Sequence, residues 1–131
     1  MIFLSRLNLI VYMSILCYNI MMEHKRILQK YVDTAESIKG MNVDGPDWNN
    51  NWRDDAACIG METELFYPGA VDERKYVQKT CDNCPVKLEC LATALATKDT
   101  DNGIHGGQVP SEKRKIVEAL RRLRLLEDAE V

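Results

Sequence analysis

The chain has no nucleotide-binding glycine loop, no internal repeat and no nucleophile placed beside a base. Those absences leave phosphotransferase, solenoid and hydrolase readings without support. It has no A-x-A-like cleavage site near its start, which argues against a secretory signal peptide. It has no strand-helix-strand pattern around its cysteines, the setting a thiol–disulfide enzyme wants. Nor is it basic: a net charge of −3 excludes nonspecific coating of nucleic acid by the whole surface, so any DNA contact must come from a local patch.

What is present centres on residues 81–90, Cys-Asp-Asn-Cys-Pro-Val-Lys-Leu-Glu-Cys, with Cys58 upstream, giving C-x22-C-x2-C-x5-C. Thiolates bind soft or borderline metals, and a C-x2-C turn lets two sulfurs face one centre. Pro85 suits the first position of a helix, which predicts Cys84 as its N-cap, a position that favours the thiolate. Cys90 then follows on the same helix. Structural zinc sites of four cysteines usually pair two C-x2-C knuckles, and only one is present; iron–sulfur clusters accept irregular spacing with a remote fourth ligand. Spacing alone leaves zinc and iron–sulfur both open. A thiol–disulfide reductase using Cys81 and Cys84 is a third reading, and unrelated or disulfide-bonded thiols a fourth. Five cysteines with four in one motif fit a reducing cytoplasm better than a secreted scaffold.

The surroundings add a resemblance. Trp52-Arg53-Asp54-Asp55 precedes Cys58, Leu65-Phe66-Tyr67-Pro68 follows it, and Gly103-Ile104-His105-Gly106-Gly107 comes before a basic helix. Over about residues 48–126 this order resembles the WhiB-like family of bacterial transcription regulators. The resemblance implies a [4Fe–4S] cluster held by Cys58, Cys81, Cys84 and Cys90. It also implies control of transcription through the C-terminal region of the RNA polymerase primary sigma factor and through DNA, with a response to redox change or nitric oxide. The partner surface so implied takes in Trp52, Phe66, Gly103, Ile104, His105, Gly106 and Gly107. In the family the third residue of that glycine turn is tryptophan; here it is His105, expected as a surface residue of a tight turn. Trp52 reads either as a core wall or as part of an exposed patch, and Trp48 as packing.

Four segments are expected along the chain. Residues 1–22 are apolar with one charge, Arg6, and read as a mis-assigned start, with translation beginning at Met21, Met22 or Met41; Asn8, Ser14 and Asn19 argue against a membrane span. Residues 23–47 hold an amphipathic helix over 23–39, with Ile27, Leu28, Tyr31, Val32 and Ile38 on its apolar stripe, and a loop. Residues 48–126 carry the cysteines, with helices over 54–58, 70–80, 85–97 and 111–126. Residues 127–131 form an acidic tail. In the last helix Ser111 is the expected N-cap, and Ile116, Leu120 and Leu123 form the apolar stripe. Lys113, Arg114, Lys115, Arg121, Arg122 and Arg124 are its candidate DNA contacts. No R-G-R core of an AT-hook is present. The expectation is an all-α bundle of four or five helices, its slight core stabilised by a bound cofactor, with no membrane partner.

Overall fold

Apolar residues recur at helical spacing in stretches such as Tyr31–Ile38 and Ile116–Leu123, and those stretches are helical. The computed structural model describes residues 2–67 and 69–129 and is all-α, with helices α1 (Ile2–Ile38), α2 (Val71–Asp82), α3 (Lys87–Ala96) and α4 (Pro110–Ala129). Two 3-10 turns, Trp52–Asp55 and Thr63–Phe66, lie in the long connection between α1 and α2. Among the described residues there is no strand; one isolated bridge pairs His105 with Gln108. Pro68, part of the expected aromatic–proline turn, and the tail residues Glu130 and Val131 lie outside the described residues.

The core lies where the C-terminal end of α1 meets α3 and α4. Tyr31, Ala35 and Ile38 pack against Leu91, Ala92, Ile116 and Ala119, with Leu88, Leu95, Leu120 and Leu123 around them. The stripe expected on α4 is therefore the one that packs, and α3 meets it with Leu88, Leu91 and Leu95. A second, smaller cluster joins Val77, Cys81 and Ile104 to Met61, Leu65, Phe66 and Val109. The two clusters flank the cysteines.

Several boundaries differ from expectation. The first helix is one continuous element from Ile2, and its apolar residues from Leu7 to Leu28, Ile27 among them, are exposed. Packing begins only where α1 reaches α3 and α4. No described helix is long and apolar enough to cross a membrane. The expected helix over 54–58 is the shorter 3-10 turn Trp52–Asp55, which leaves Cys58 beyond it. The helix after the C-x2-C turn begins at Lys87, two residues later than Pro85 suggests, so Cys84 is not its N-cap. The Cys84 amide instead donates to Cys81 O at 3.0 Å, closing a turn off the end of α2. In α4, Pro110 takes the first helical position and Ser111 lies inside and exposed. Its cap comes from Glu112, whose Oε1 accepts the Val109 amide at 3.2 Å.

Candidate functional site

Cys81 lies in the last turn of α2, Cys84 in the turn that follows, Cys90 in α3, and Cys58 in the loop after the first 3-10 turn. From these four places all four thiols reach one cavity of about 560 Å³, which Trp52, Phe66, Ile104, His105 and Gly106 also line. Cys17 is exposed on α1, away from them, and all five cysteines are free thiols. Among the described residues, no three His, Cys, Asp or Glu side chains close on a point as ligands of one ion would. A single zinc needs its sulfurs about 2.3 Å away. All four thiols line the one cavity, and as a donor set of soft ligands they fit a polynuclear group.

Backbone amides face the sulfurs. Ala57 N–H donates to Cys84 Sγ at 3.5 Å, and the Gly107 and Gly106 amides lie where they favour the thiolates of Cys81 and Cys90. The glycine turn makes this approach possible. Gly106 has φ of +56°, and a Cβ there would stand 2.5 Å from Lys87 O and 2.9 Å from Leu91 Cβ. Gln78 Nε2 donates to Gly107 O at 2.9 Å and Ile104 N–H to Phe66 O at 2.8 Å, tying the turn to α2 and the second 3-10 turn. Lys87 Nζ meets Asp82 Oδ1 at 2.9 Å, bridging the C-x2-C segment.

Burial raises the Cys81 thiol to about 11, against the opposing pull of the Gly107 amide. Burial also raises Cys90, offset by the Gly106 amide and, last, by the Arg53 charge. A catalytic thiol needs its pKa lowered, so a protein without metal presents a poor nucleophile at Cys81. Burial of Cys81 therefore lends no support to the thiol–disulfide reductase reading of Cys81 and Cys84.

The expected partner surface is largely interior. Trp52 is 6% exposed and Ile104 3%, and Gly103, Gly106 and Gly107 are buried; Phe66 and His105 are half-buried. Trp52 is thus a wall of the cavity, with the Arg53 guanidinium 4.3 Å from its ring centroid. His105 is not a free surface residue: its Nδ1 lies 2.9 Å from Lys113 Nζ, and Nε2 faces Asp99 Oδ2 at 3.7 Å. Burial and the Lys113 charge lower its pKa.

Lys113 is the clearest correction among the candidate DNA contacts. It is fully buried, and its Nζ donates to Asp99 O at 2.8 Å, to Asn102 O at 2.7 Å and to His105. All three ammonium donors are used inside the protein, and none is left for a phosphate. Arg114, Lys115, Arg121, Arg122 and Arg124 do lie on the exposed side of α4. Arg114 pairs with Asp101, and Arg121 and Arg122 share Glu118; Lys115 lies over the Tyr31 ring at 5.3 Å. Sequence reasoning missed the roles of Lys113, Asp99, Gln78 and Arg53. Only Lys113 carried a signal, since it falls on the same face of α4 as Ile116, Leu120 and Leu123.

With this geometry in hand, residues 52–116 match the family model described as Transcription factor WhiB. Transcriptional regulator WhiB of Streptomyces coelicolor is 33% identical over 85 residues, 65% of this chain and 97% of that one. Transcriptional regulator WhiB2 of Mycobacterium tuberculosis is 35% identical over 71 residues, covering 54% of this chain and 79% of the relative. Transcriptional regulator WhiD of Streptomyces coelicolor is 31% identical over 87 residues, covering 61% and 73%.

Proposed function

Because the chain belongs to the WhiB family of transcription factors, we propose that it is a cytoplasmic regulator that holds a [4Fe–4S] cluster on Cys58, Cys81, Cys84 and Cys90. Its relatives are named transcriptional regulators, and regulation rather than catalysis is its class. The observation that carries the cluster reading is the convergence of those four thiols on a single cavity, with amides of Ala57, Gly106 and Gly107 directed at three of the sulfurs. Four thiolates with only one C-x2-C pair among them suit an iron–sulfur cluster, which accepts irregular spacing, better than zinc. Bound there, the cluster would supply a redox-active and nitric-oxide-reactive centre. The protein's own residues hold the thiols apart, direct amides at them and wall them with Trp52 and Phe66.

Regulation runs through the C-terminal region of the RNA polymerase primary sigma factor and through DNA. Since Trp52 and Ile104 face inward, the sigma factor meets the rim of the cavity, where Ile59 and Tyr67 are 65% and 55% exposed. DNA meets the outer face of α4, through Lys115 and Arg124 first, because Arg114, Arg121 and Arg122 must exchange carboxylate partners for phosphates.

The deciding experiment is anaerobic purification followed by absorbance, iron and sulfide analysis of the wild type and of each Cys→Ala variant. A brown protein with four irons and four sulfides per chain is expected, as the formula of the cluster requires. Loss is expected with any of Cys58, Cys81, Cys84 or Cys90 replaced, and retention with Cys17→Ala. A colourless protein carrying one zinc would instead establish a zinc-stabilised interaction module.

A further inference from the structure

Among the described residues, two buried side-chain polar atoms have no hydrogen-bond partner, Trp52 Nε1 and Gln108 Oε1, and only the first is a donor. Trp52 is 6% exposed, stands six residues before Cys58, and forms part of the wall of the four-cysteine cavity. An indole N–H taken out of water without a partner is destabilising, and buried polar groups are nearly always satisfied. The cost is removed if the partner arrives with a ligand. The Ala57 amide already donates to Cys84 Sγ, the Gly106 and Gly107 amides favour the thiolates of Cys90 and Cys81, and Trp52 belongs to the wall of the same cavity.

We propose that Trp52 Nε1–H donates a hydrogen bond to a sulfur of the bound cluster and, with the Arg53 guanidinium stacked on its ring, raises the cluster's reduction potential. The proposal rests on the [4Fe–4S] reading above. Reduction adds one electron, and its negative charge is shared by the cluster sulfurs. A donor aimed at a sulfur therefore stabilises the reduced form more than the oxidised one. Arg53 strengthens the effect in two ways. Its charge acts on the same anionic site, and a cation over the indole face draws electron density from the ring, which makes the N–H a better donor. The competing destination is a smaller cavity of about 250 Å³ that Trp52 also lines, together with Asp55 and Glu89. A water bridging to either carboxylate would satisfy the same N–H without touching the cluster.

Trp52→Phe separates the two, because it keeps an aromatic ring in the wall and deletes the N–H. Anaerobic titration with dithionite, which supplies the electron, gives the midpoint potential by electron paramagnetic resonance of the reduced cluster. The expected result is a more negative midpoint in the variant, with about a tenfold change in the reduced-to-oxidised ratio at fixed potential, which is about 59 mV for one electron. Arg53→Gln is expected to move it in the same direction. An unchanged midpoint in a cluster-loaded Trp52→Phe protein overturns the proposal. Should that variant lose its cluster, benzothienylalanine at position 52, which exchanges the N–H for sulfur in an isosteric ring, gives the same comparison. A wild type without any cluster signature overturns the cluster reading and this proposal together, whereas a normal cluster with an unmoved potential overturns this proposal alone.

Discussion

Lys113 Nζ lies 2.9 Å from His105 Nδ1, so a buried cation on α4 holds the glycine turn by its side chain. The same ammonium accounts for the carbonyls of Asp99 and Asn102, and the loop between α3 and α4 closes around it. The His105 ring proton must then sit on Nε2, since Nδ1 accepts from Lys113. Through this contact the element that directs amides at Cys81 and Cys90 is joined to the helix that carries the exposed basic residues.

Lys113→Met keeps the apolar stem and removes the ammonium. Two carbonyls and a ring nitrogen lose their donor, and each buried group left unpaired costs about 1–3 kcal/mol. A loss of about 2 kcal/mol or more is expected in urea unfolding of the protein. Lys115→Met, on the exposed side of the same helix, should change the midpoint little. Equal midpoints for the two variants would mean that the buried clamp carries no stability.

Acid should loosen this region through His105. Burial first, and then the Lys113 charge, lower its pKa from 6.5, so the unfolded chain binds the proton more tightly than the folded one. The stability this site contributes is whole above pH 6.5 and is lost as the pH falls from there through the lowered folded value. His105→Gln, which cannot titrate, should flatten that part of the profile. Unfolding midpoints of both proteins at pH 7.5 and 5.5 measure the difference, and parallel losses in the two would place the acid sensitivity elsewhere.

The four-cysteine pattern was legible because C-x22-C-x2-C-x5-C needs no tertiary information to be seen, and the structure brings those four thiols to one cavity. The stripe on α4 was legible because Ile116 and its neighbours at helical spacing are buried by their own period. The interior use of Lys113 was not, because a lysine at a stripe position is ordinarily read by its charge. Its burial depends on three acceptors, from residues 99, 102 and 105, arriving from another part of the chain. Trp52 was ambiguous for a related reason: a tryptophan near a site serves equally as wall or as anchor until the fold says which side water reaches. The start of α3 was misplaced because Pro85 permits a helix start without requiring one, and the Cys81–Cys84 turn uses that proline outside the helix.

Gly106→Ala should be far more damaging than Gly107→Ala. Both positions have positive φ, +56° and +78°, which costs a residue with a Cβ about 1–2 kcal/mol. Only at Gly106 does the new Cβ also collide with backbone, 2.5 Å from Lys87 O; at Gly107 the nearest atom is Cys81 Cβ at 3.4 Å. Thermal unfolding should rank them in that order. The Gly106 variant should also lose its iron faster to a chelator, because the amide facing Cys90 is displaced. The reverse ranking would mean that the turn is not pinned against α3.

Deleting residues 1–22 should leave the unfolding midpoint unchanged. Residues 6–30 are exposed along α1, and its buried contacts begin at Tyr31. The exposed Leu9, Ile10, Tyr12 and Ile15 should instead make the longer chain the less soluble of the two. Thermal unfolding and light scattering on both lengths test this; a drop in midpoint on deletion would show that the apolar stretch packs on the domain in solution.

His105→Trp joins the two arguments about the turn. From the sequence, restoring the family's tryptophan should tighten sigma-factor binding, because a large aromatic ring adds contact area where interfaces draw their energy. The structure adds an opposing term. An indole nitrogen donates only, so the substituted ring cannot accept the Lys113 proton, and a fully buried ammonium loses one of three partners. The free protein should therefore lose about 1–3 kcal/mol of stability even where the complex gains. A double-mutant cycle with Lys113→Met isolates this term. The two substitutions together should cost less than the sum of each alone, with a coupling of about 0.5–3 kcal/mol, since the methionine no longer needs the acceptor that the indole fails to offer. Urea unfolding of the four proteins gives the coupling, and anaerobic titration of the cluster-loaded forms against the sigma factor's C-terminal region gives the affinities. Additive stabilities would show that the Lys113–His105 contact is without energetic weight. Tighter binding by His105→Trp with a coupled loss of stability would show that histidine at this position serves the fold at the partner's expense.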